Sequence, residues 1–312
     1  MSDPSSLSEV LSNVTTKHPK ALKVAHINAQ SLNYAAHYDE FCDTFCNSGF
    51  DLIAVSETFF KATSQTAVPN YNVFHLDRVN RNGGGVAVYV KNSLNVKVLC
   101  TSNQINLEPE YIILEVECKS IKLIFCCLYR PPDVGHMDTF LIDFFDLLPS
   151  YKYAIVCGDF NARFGTGEQE TLIIEDTLKM CNLTVIPYGP TFHLENYEST
   201  LDLIASNCHD LLLDYGQQIA PGFSSHDLLF AAFNIDVPPP LKREITFRDF
   251  KNIDVGMLET DLLSTDWNPV FSSQSIDEKI HYFNSIMLTL LNEHAPYKTI
   301  TVKHYKSLWM CK

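Results

Sequence analysis

A chain of 312 residues with 46% hydrophobic and 19% charged side chains can bury a sizeable core and is not composed like a disordered protein. Its 23 Lys and Arg against 37 Asp and Glu leave a net charge of −14. That excludes a sequence-independent nucleic-acid coat with a broad basic face, though not an enzyme whose carboxylates gather a cation beside a phosphate. Ten cysteines include no CxxC pair, which excludes a zinc ribbon and a thioredoxin-type motif and reads as reduced core thiols of an intracellular protein, nuclear or cytoplasmic.

Residues 1–19 are polar, lack the apolar stretch of a secretion signal and are expected to form a flexible lead, so the chain is read as not secreted. LKVAHIN (22–28) and DLIAVSE (51–57) read as strands around an amphipathic helix from Tyr34 to Cys46, with Tyr34, Tyr38, Phe41, Cys42 and Phe45 at helical spacing. GGGVAVYV (83–90) opens on a glycine turn and continues as a strand; with no helix after it, the glycines serve a positive-φ turn rather than a phosphate cradle. YIILEVEC (111–118) and IKLIFCCLYR (121–130), separated by Lys119 and Ser120, form a hairpin. A helix from His136 to Leu148 leads to the strand YAIVCGDF (153–160), and another from Glu170 to Cys181 leads into LTVIP. TLDLIAS (200–206), LLLDYGQQIA (211–220) and HDLLFAAFNI (226–235) complete the strands. Pro238-Pro239-Pro240 ends the last of them, since proline cannot donate to a ladder. Helical segments follow at Asp254 to Leu263 and Asp277 to His294; the second gathers Ile280, Phe283, Ile286, Met287, Leu290 and Leu291 on one face, which must bury against something. No apolar run approaches the roughly 18 residues that span a bilayer, so no membrane anchor is expected.

Many strands with few helices between them do not fit strict βαβ alternation. They predict an α/β protein of two mixed β-sheets packed face to face with helices outside, a four-layer α/β/β/α sandwich. Charge marks a boundary near Pro238: Lys20 to Val237 carries 13 basic and 26 acidic residues, and the stretch from Pro238 onward carries 9 of each. The expected organisation is therefore a lead at 1–19, a main domain at 20–237 and a helical tail at 238–312.

Several polar residues stand at the ends of apolar runs: Asn28, Glu57, Tyr129, Arg130, Asp159, Asn161, Asp202 and the triplet Ser225-His226-Asp227. Each alone is most simply a cap or turn former. Together, on different strands, they could converge at one rim while the apolar runs build the core. Asp159 and Asn161, two apart on extended backbone, share a face.

INAQSL around Asn28, SET around Glu57, the glycine turn GGGVAVYV, LYRPP with Tyr129, GDFNAR with Asp159 and Asn161, STLDLIAS with Asp202 and SSHD with His226 follow one another in that order. This pattern resembles the endonuclease/exonuclease/phosphatase superfamily and, within it, the endonuclease domains of jockey-type non-LTR retrotransposons. The likeness covers about Lys20 to Val237; a weaker one, in DWNPV and NEHAPYKT, makes the tail similar to the connector between endonuclease and reverse transcriptase. No adjacent Asp-Asp pair occurs, so no reverse-transcriptase metal motif is expected here.

The resemblance implies a Mg²⁺-dependent hydrolase, with Mn²⁺ as an alternative ion, that nicks DNA and leaves a 3′ hydroxyl. Glu57 is the leading metal ligand and Asn28 adds an amide oxygen, since Mg²⁺ prefers hard oxygen donors. Asp159 with Asn161 would hold the attacking water, and Tyr129 would offer its phenol to a phosphate oxygen. His226 and Asp202 are the acid–base pair by resemblance, with the proton acceptor left open between His226 and Asp159. Thr191 in GPTF would approach substrate by resemblance or serve as an ordinary turn residue; Arg130 and Arg163, read from residue type alone, are DNA-backbone contacts or salt-bridge partners in so acidic a chain. The family pattern usually has Asp directly before the final His. Here that position is Ser225 and the acid follows as Asp227, so Ser225 substitutes, or Asp227 is re-aimed, or the role is weakened. Competing readings are another phosphodiesterase of the superfamily, acting on RNA ends, a phosphoinositide or sphingomyelin, and a catalytically weak element fragment, ending at Trp309-Met310-Cys311-Lys312, that serves as an interaction module.

Overall fold

The computed structural model describes residues 7–78, 81–103, 107–132, 134, 136–220, 222–240 and 243–302, so the chain end at Trp309 to Lys312 lies outside the described residues. The chain divides into two compact units, Met1–Pro240 and Leu241–Lys312. The first contains, in order, α1 (Leu7–Lys17), β1 (Ala21–Asn28), α2 (Ala35–Phe45), β2 (Leu52–Ser56), β3 (Tyr71–Leu76), β4 (Val86–Lys91), β5 (Asn95–Thr101), β6 (Glu110–Glu117), β7 (Lys122–Tyr129), α3 (Asp138–Leu147), β8 (Tyr153–Asp159), α4 (Gln169–Met180), β9 (Thr184–Val185), β10 (Phe192–Leu194), β11 (Tyr197–Ser199), β12 (Asp202–Ser206), β13 (Leu212–Ile219) and β14 (Asp227–Asp236).

Strand alternation sets the layers. In β1, Leu22 and Val24 join one buried cluster while Ala25 and Ile27 join another, because successive side chains point to opposite faces. β8 behaves alike: Ile155 and Cys157 share a cluster with Leu22 and Val24, and Ala154 and Val156 do not. Strands apolar on both faces need a cover on each. One six-stranded sheet runs β13-β14-β1-β2-β4-β3 and the other β5-β6-β7-β8-β12-β9. Each is mixed, with one parallel pair, β1–β2 or β7–β8, bridged by a helical crossover. The inner faces meet in a core that includes Val24, Leu52, Val88 and Phe233 from one sheet and Leu114, Phe125, Ile155 and Ile204 from the other. Outside, Leu11 of α1 and Phe41 and Phe45 of α2 cover the first sheet, and Phe140 and Phe144 of α3 with Ile174 and Leu178 of α4 cover the second. This is the α/β/β/α sandwich that the strand pattern predicts.

The flexible lead expected at 1–19 is corrected over Leu7–Lys17, which is helix α1 with Leu11 and Val14 buried. Leu7, Val10, Leu11 and Val14 recur at i, i+3, i+4 and i+7, an apolar stripe diluted by the Ser and Thr residues around it. Nine cysteines are free among the described residues, six of them buried.

The second unit contains β15 (Arg243–Arg248), α5 (Val255–Ser264), α6 (Asn268–Ser272), α7 (Ile276–His294) and β16 (Tyr297–Val302), with β15 and β16 paired antiparallel. Asp254 and Ser275 cap α5 and α7 by accepting from the N–H three residues on. The tail is thus helical but closed by a two-stranded ribbon. No helix among the described residues is long and apolar enough to cross a membrane.

Candidate active site at the polar end of the core

The inner face that carries the core turns polar at one end. Glu110 pairs with Tyr129, Tyr129 with Asp159, and Asp159 with Asp202, one row across β6, β7, β8 and β12. Two residues further into each strand the same face holds Ile112, Cys127, Cys157 and Ile204, all in the inter-sheet core. On the facing sheet, β1 continues the parity of Leu22 and Val24 with His26 and Asn28, both fully buried. The site is therefore an extension of the core into hydrogen-bonding side chains.

Two turns add the residues that strand parity alone would miss. Glu57 follows β2 at φ 53° and Asn161 follows β8 at φ 46°. Left-handed backbone costs a non-glycine residue about 1–2 kcal/mol, so local bonds must hold it. Asn28 Nδ2 donates to Glu57 Oε1 and to Asp159 Oδ2, both at 2.8 Å. Asn161 N donates to Asp159 Oδ1 at 2.8 Å, and Asn161 Nδ2 donates to Arg130 O at 2.9 Å. Asn28 Oδ1 accepts from Gln30 N at 3.0 Å, so the amide nitrogen rather than the oxygen faces the two carboxylates.

A second group adjoins the first. His226 stands one residue before β14 and donates from Nδ1 to Asp202 Oδ2 at 2.7 Å. Thr191 Oγ1 donates to the same oxygen at 2.8 Å and accepts from Asp202 N at 3.0 Å. Ser224 Oγ donates to Asn28 O at 2.6 Å and accepts from His226 N at 3.0 Å, tying the histidine turn to β1. Phe192 packs on the imidazole with centroids 4.8 Å apart. Ligand atoms of Asp159, Asp202 and His226 all lie within 4.8 Å of one another.

Burial by itself would lower the proton affinity of His226, but Asp202, then Asp159 and Glu57, outweigh it and push the imidazole up to about 9. Burial would raise Asp202; His226 and His26 hold it well below the usual carboxylate range instead. Asp159 is raised by burial and by the neighbouring Asp202 charge. Tyr129 is raised by burial, then by Glu57 and Asp159, and stays a phenol.

Asn28, Glu57, Asp159, Asn161, Tyr129, Asp202, His226 and Thr191 thus meet at one end of the sandwich. Ser225 and Asp227 do not share that arrangement. Ser225 N donates to Gln30 Oε1 at 2.9 Å. The Asp227 carboxylate accepts from His193 Nε2 at 3.1 Å and Gln217 Nε2 at 2.6 Å. Arg130 is no backbone contact for a ligand: it is buried, donating from Nη1 to Phe160 O at 2.8 Å and Asn161 O at 3.2 Å and pairing with Glu170. Arg163 is exposed and lies 3.6 Å from Glu168. Sequence reasoning missed His26, whose Nε2 reaches Asp202 Oδ1 at 3.1 Å. The signal was available, since a polar residue two before Asn28 on a buried strand shares its face.

The Endonuclease/Exonuclease/phosphatase family profile matches residues 15–279. The chain belongs to that family. No curated protein matches it. Among solved structures, it is similar to the endonuclease domain of TRAS1, a telomere-specific non-LTR retrotransposon, with TM-score 0.53 and 15% identity over 68% of this chain and 98% of that one. It is also similar to the AP endonuclease of Leishmania major, with TM-score 0.53 and 13% identity over 69% and 88% of the two chains. The catalytic domain of human Nocturnin gives TM-score 0.51 and 16% identity over 69% and 94%. At these identities the likeness is one of fold.

Enzymes of the Endonuclease/Exonuclease/phosphatase family typically depend on a divalent metal. The residues present fit one: Glu57 and Asp159 bring two carboxylates, hard oxygen donors, onto the one Asn28 amide. Glu57 also keeps partial solvent access.

Proposed function

We propose that the chain is a divalent-metal-dependent phosphodiesterase that nicks DNA, leaving a 3′ hydroxyl. The observation that carries this reading is the junction of the Asn28-bridged carboxylate pair with the His226–Asp202 pair, through Asp159, at the polar end of the core. Glu57 would hold the cation, with the Asn28 amide beside it as the second candidate ligand. Mg²⁺ or Mn²⁺, when bound, polarises a phosphate oxygen as a Lewis acid. Asp159, oriented by the Asn161 N–H, takes the proton of the attacking water. His226 is given the other role, since Asp202 raises its imidazole toward the cationic form. Its Nε2–H instead faces the charge that develops on the phosphate, and can pass a proton to the leaving oxygen. Tyr129 donates to a non-bridging oxygen. The order of motifs, GDFNAR and STLDLIAS above all, favours DNA over the other phosphodiesters of the family.

Supercoiled plasmid tests this. Relaxed circles are expected with Mg²⁺, none in chelator, and none from Glu57→Gln although it unfolds at nearly the wild-type temperature. Nicking that survives chelation, or a fully active Glu57→Gln, would overturn the metal role. The displaced acid at Ser225 supports a second reading, a weak or inactive interaction module. A folded chain without turnover on plasmid, abasic duplex, RNA ends or phosphoinositide would favour it.

A further inference from the structure

We propose that His26 is a positioning residue for the reaction, one that fixes the Asp202 carboxylate and through it aims His226. The proposal rests on the hydrolytic reading of the site and adds a residue to it.

The carboxylate of Asp202 is fully buried and its two oxygens are divided. Oδ2 accepts from His226 Nδ1 at 2.7 Å and from Thr191 Oγ1 at 2.8 Å. Oδ1 accepts from His26 Nε2 at 3.1 Å, the only donor it has among the described residues. A carboxylate held at one oxygen can still turn about its Cβ–Cγ bond. Donors at both oxygens, His26 on β1 and His226 beside β14 of the facing sheet with Thr191 from the loop before β10, fix its plane. His226 hydrogen-bonds to one edge of that plane, so the orientation of its imidazole is set by the same arrangement.

His26 itself carries the second part of the argument. It sits on the inner face of β1, in line with Leu22 and Val24, and is fully buried, where an apolar side chain would suit the core. Its Nδ1 has no hydrogen-bond partner among the described residues. A buried imidazole with one nitrogen unpaired is a net burden on packing. The one hydrogen bond of this ring among the described residues is with Asp202, and the ring is fully buried. Thr191 cannot serve instead, because its hydroxyl already lies on the other oxygen.

The test compares His26→Gln, which keeps an N–H donor able to reach Asp202, with His26→Met, of similar length and without one. Both are made in the full chain. The first readout needs no turnover: the proton NMR signal of His226 Nδ1–H, expected downfield of the amide region and identified by its loss in His226→Gln. It is expected to persist in His26→Gln and to broaden or vanish in His26→Met. The second readout is plasmid nicking with Mg²⁺. His26→Met is expected to lower kcat about 10–100-fold, the usual scale for a residue that orients an active group through another, with KM for DNA unchanged. His26→Gln is expected to recover most of the loss. Two variants that behave alike in both readouts, whether both like wild type or both impaired, would overturn the proposal. Should His26→Met fail to fold, His26→Gln decides: a folded His26→Gln without the downfield proton overturns it. A wild-type chain that shows this proton but nicks nothing sinks the hydrolytic reading and leaves the NMR comparison to judge His26 alone.

Discussion

Asp202 and His226 are unequal partners, and the structure changes the expectation for each. As one half of an acid–base pair, an Asp that only oriented His226 would be the milder loss. Buried with donors from His26, Thr191 and His226 around it, Asp202 is instead a charge that the fold is built to hold. Asp202→Asn would set an amide N–H against at least one of those donors. It is expected to cost about 2–4 kcal/mol of stability as well as turnover, measurable by urea unfolding. His226→Gln should fold well and lose nicking by about 10²–10⁴-fold. The pH dependence follows from the sign of the histidine shift. An unfolded histidine titrates near 6.5 and the folded one near about 9. Its contribution to stability is therefore complete below about 6.5 and is lost as pH rises toward about 9. Nicking should fall over the same alkaline range as the cation disappears. Unfolding of wild type and His226→Gln at pH 6 and pH 9.5 checks the first point, and a pH–rate profile the second; a stability difference that grows with pH would contradict both. At this scale the sequence was legible wherever a polar residue ended an apolar run, as at Asn28, Asp159 and Asp202. It was illegible where chemistry sat inside a run, as with His26, and it did not show the backbone reversals that aim Glu57 and Asn161.

Among the elements, strands with two buried faces were easy to read because their apolar runs are nearly continuous. β3 and β5 were not, since their exposed edge positions break the alternation. The β10–β11 hairpin is only three residues a side and leaves no periodic signal at all. Its attachment explains where the displaced acid of SSHD has gone. Asp227 N donates to Thr191 O, and its carboxylate holds His193 and Gln217, so it secures the hairpin rather than joining Asp159. Asp227→Asn is accordingly expected to raise hydrogen exchange in 191–199 while leaving kcat close to wild type; loss of kcat with an unaltered hairpin would show that Asp227 has taken over the catalytic position. Arg130 plays the comparable part for the turn after β8. Its guanidinium serves Phe160 O and Asn161 O while its backbone serves Asn161 and Asp159. Arg130→Met should release the left-handed Asn161, cost about 2 kcal/mol or more, and weaken nicking together with stability. Arg130→Lys should not restore either, because an ammonium is a point donor without the planar fork that spans two carbonyls.

For the molecule as a whole, charge, contacts and family likeness draw different lines. The acid-rich stretch ends at Val237, the compact units divide after Pro240, and the family match continues to residue 279. What separates the two units physically is burial. The three buried apolar clusters belong entirely to the first unit. In the second, Leu290 and Ala295 are the only buried hydrophobic residues among those described, while Ile280, Phe283 and Leu288 of α7 are exposed. Apolar burial is the main favourable term in folding, so the units should differ in the free energy needed to open them. The amides of β1, β7, β8 and β14 lie in sheets buried on both faces and should exchange only through near-global unfolding. Those of α5, α6 and α7 depend on local helix bonds, two capping side chains and the Arg248 contacts to Leu291 O and Ala295 O, and should exchange through partial opening well before the strands do. Hydrogen exchange followed by mass spectrometry resolves the two sets of segments directly. Every candidate site residue lies before Pro240, so nicking should also survive mild heating that opens α7. Protection of α7 equal to that of β8, with activity lost in the same transition, would mean that the tail and the sandwich fold as one cooperative unit.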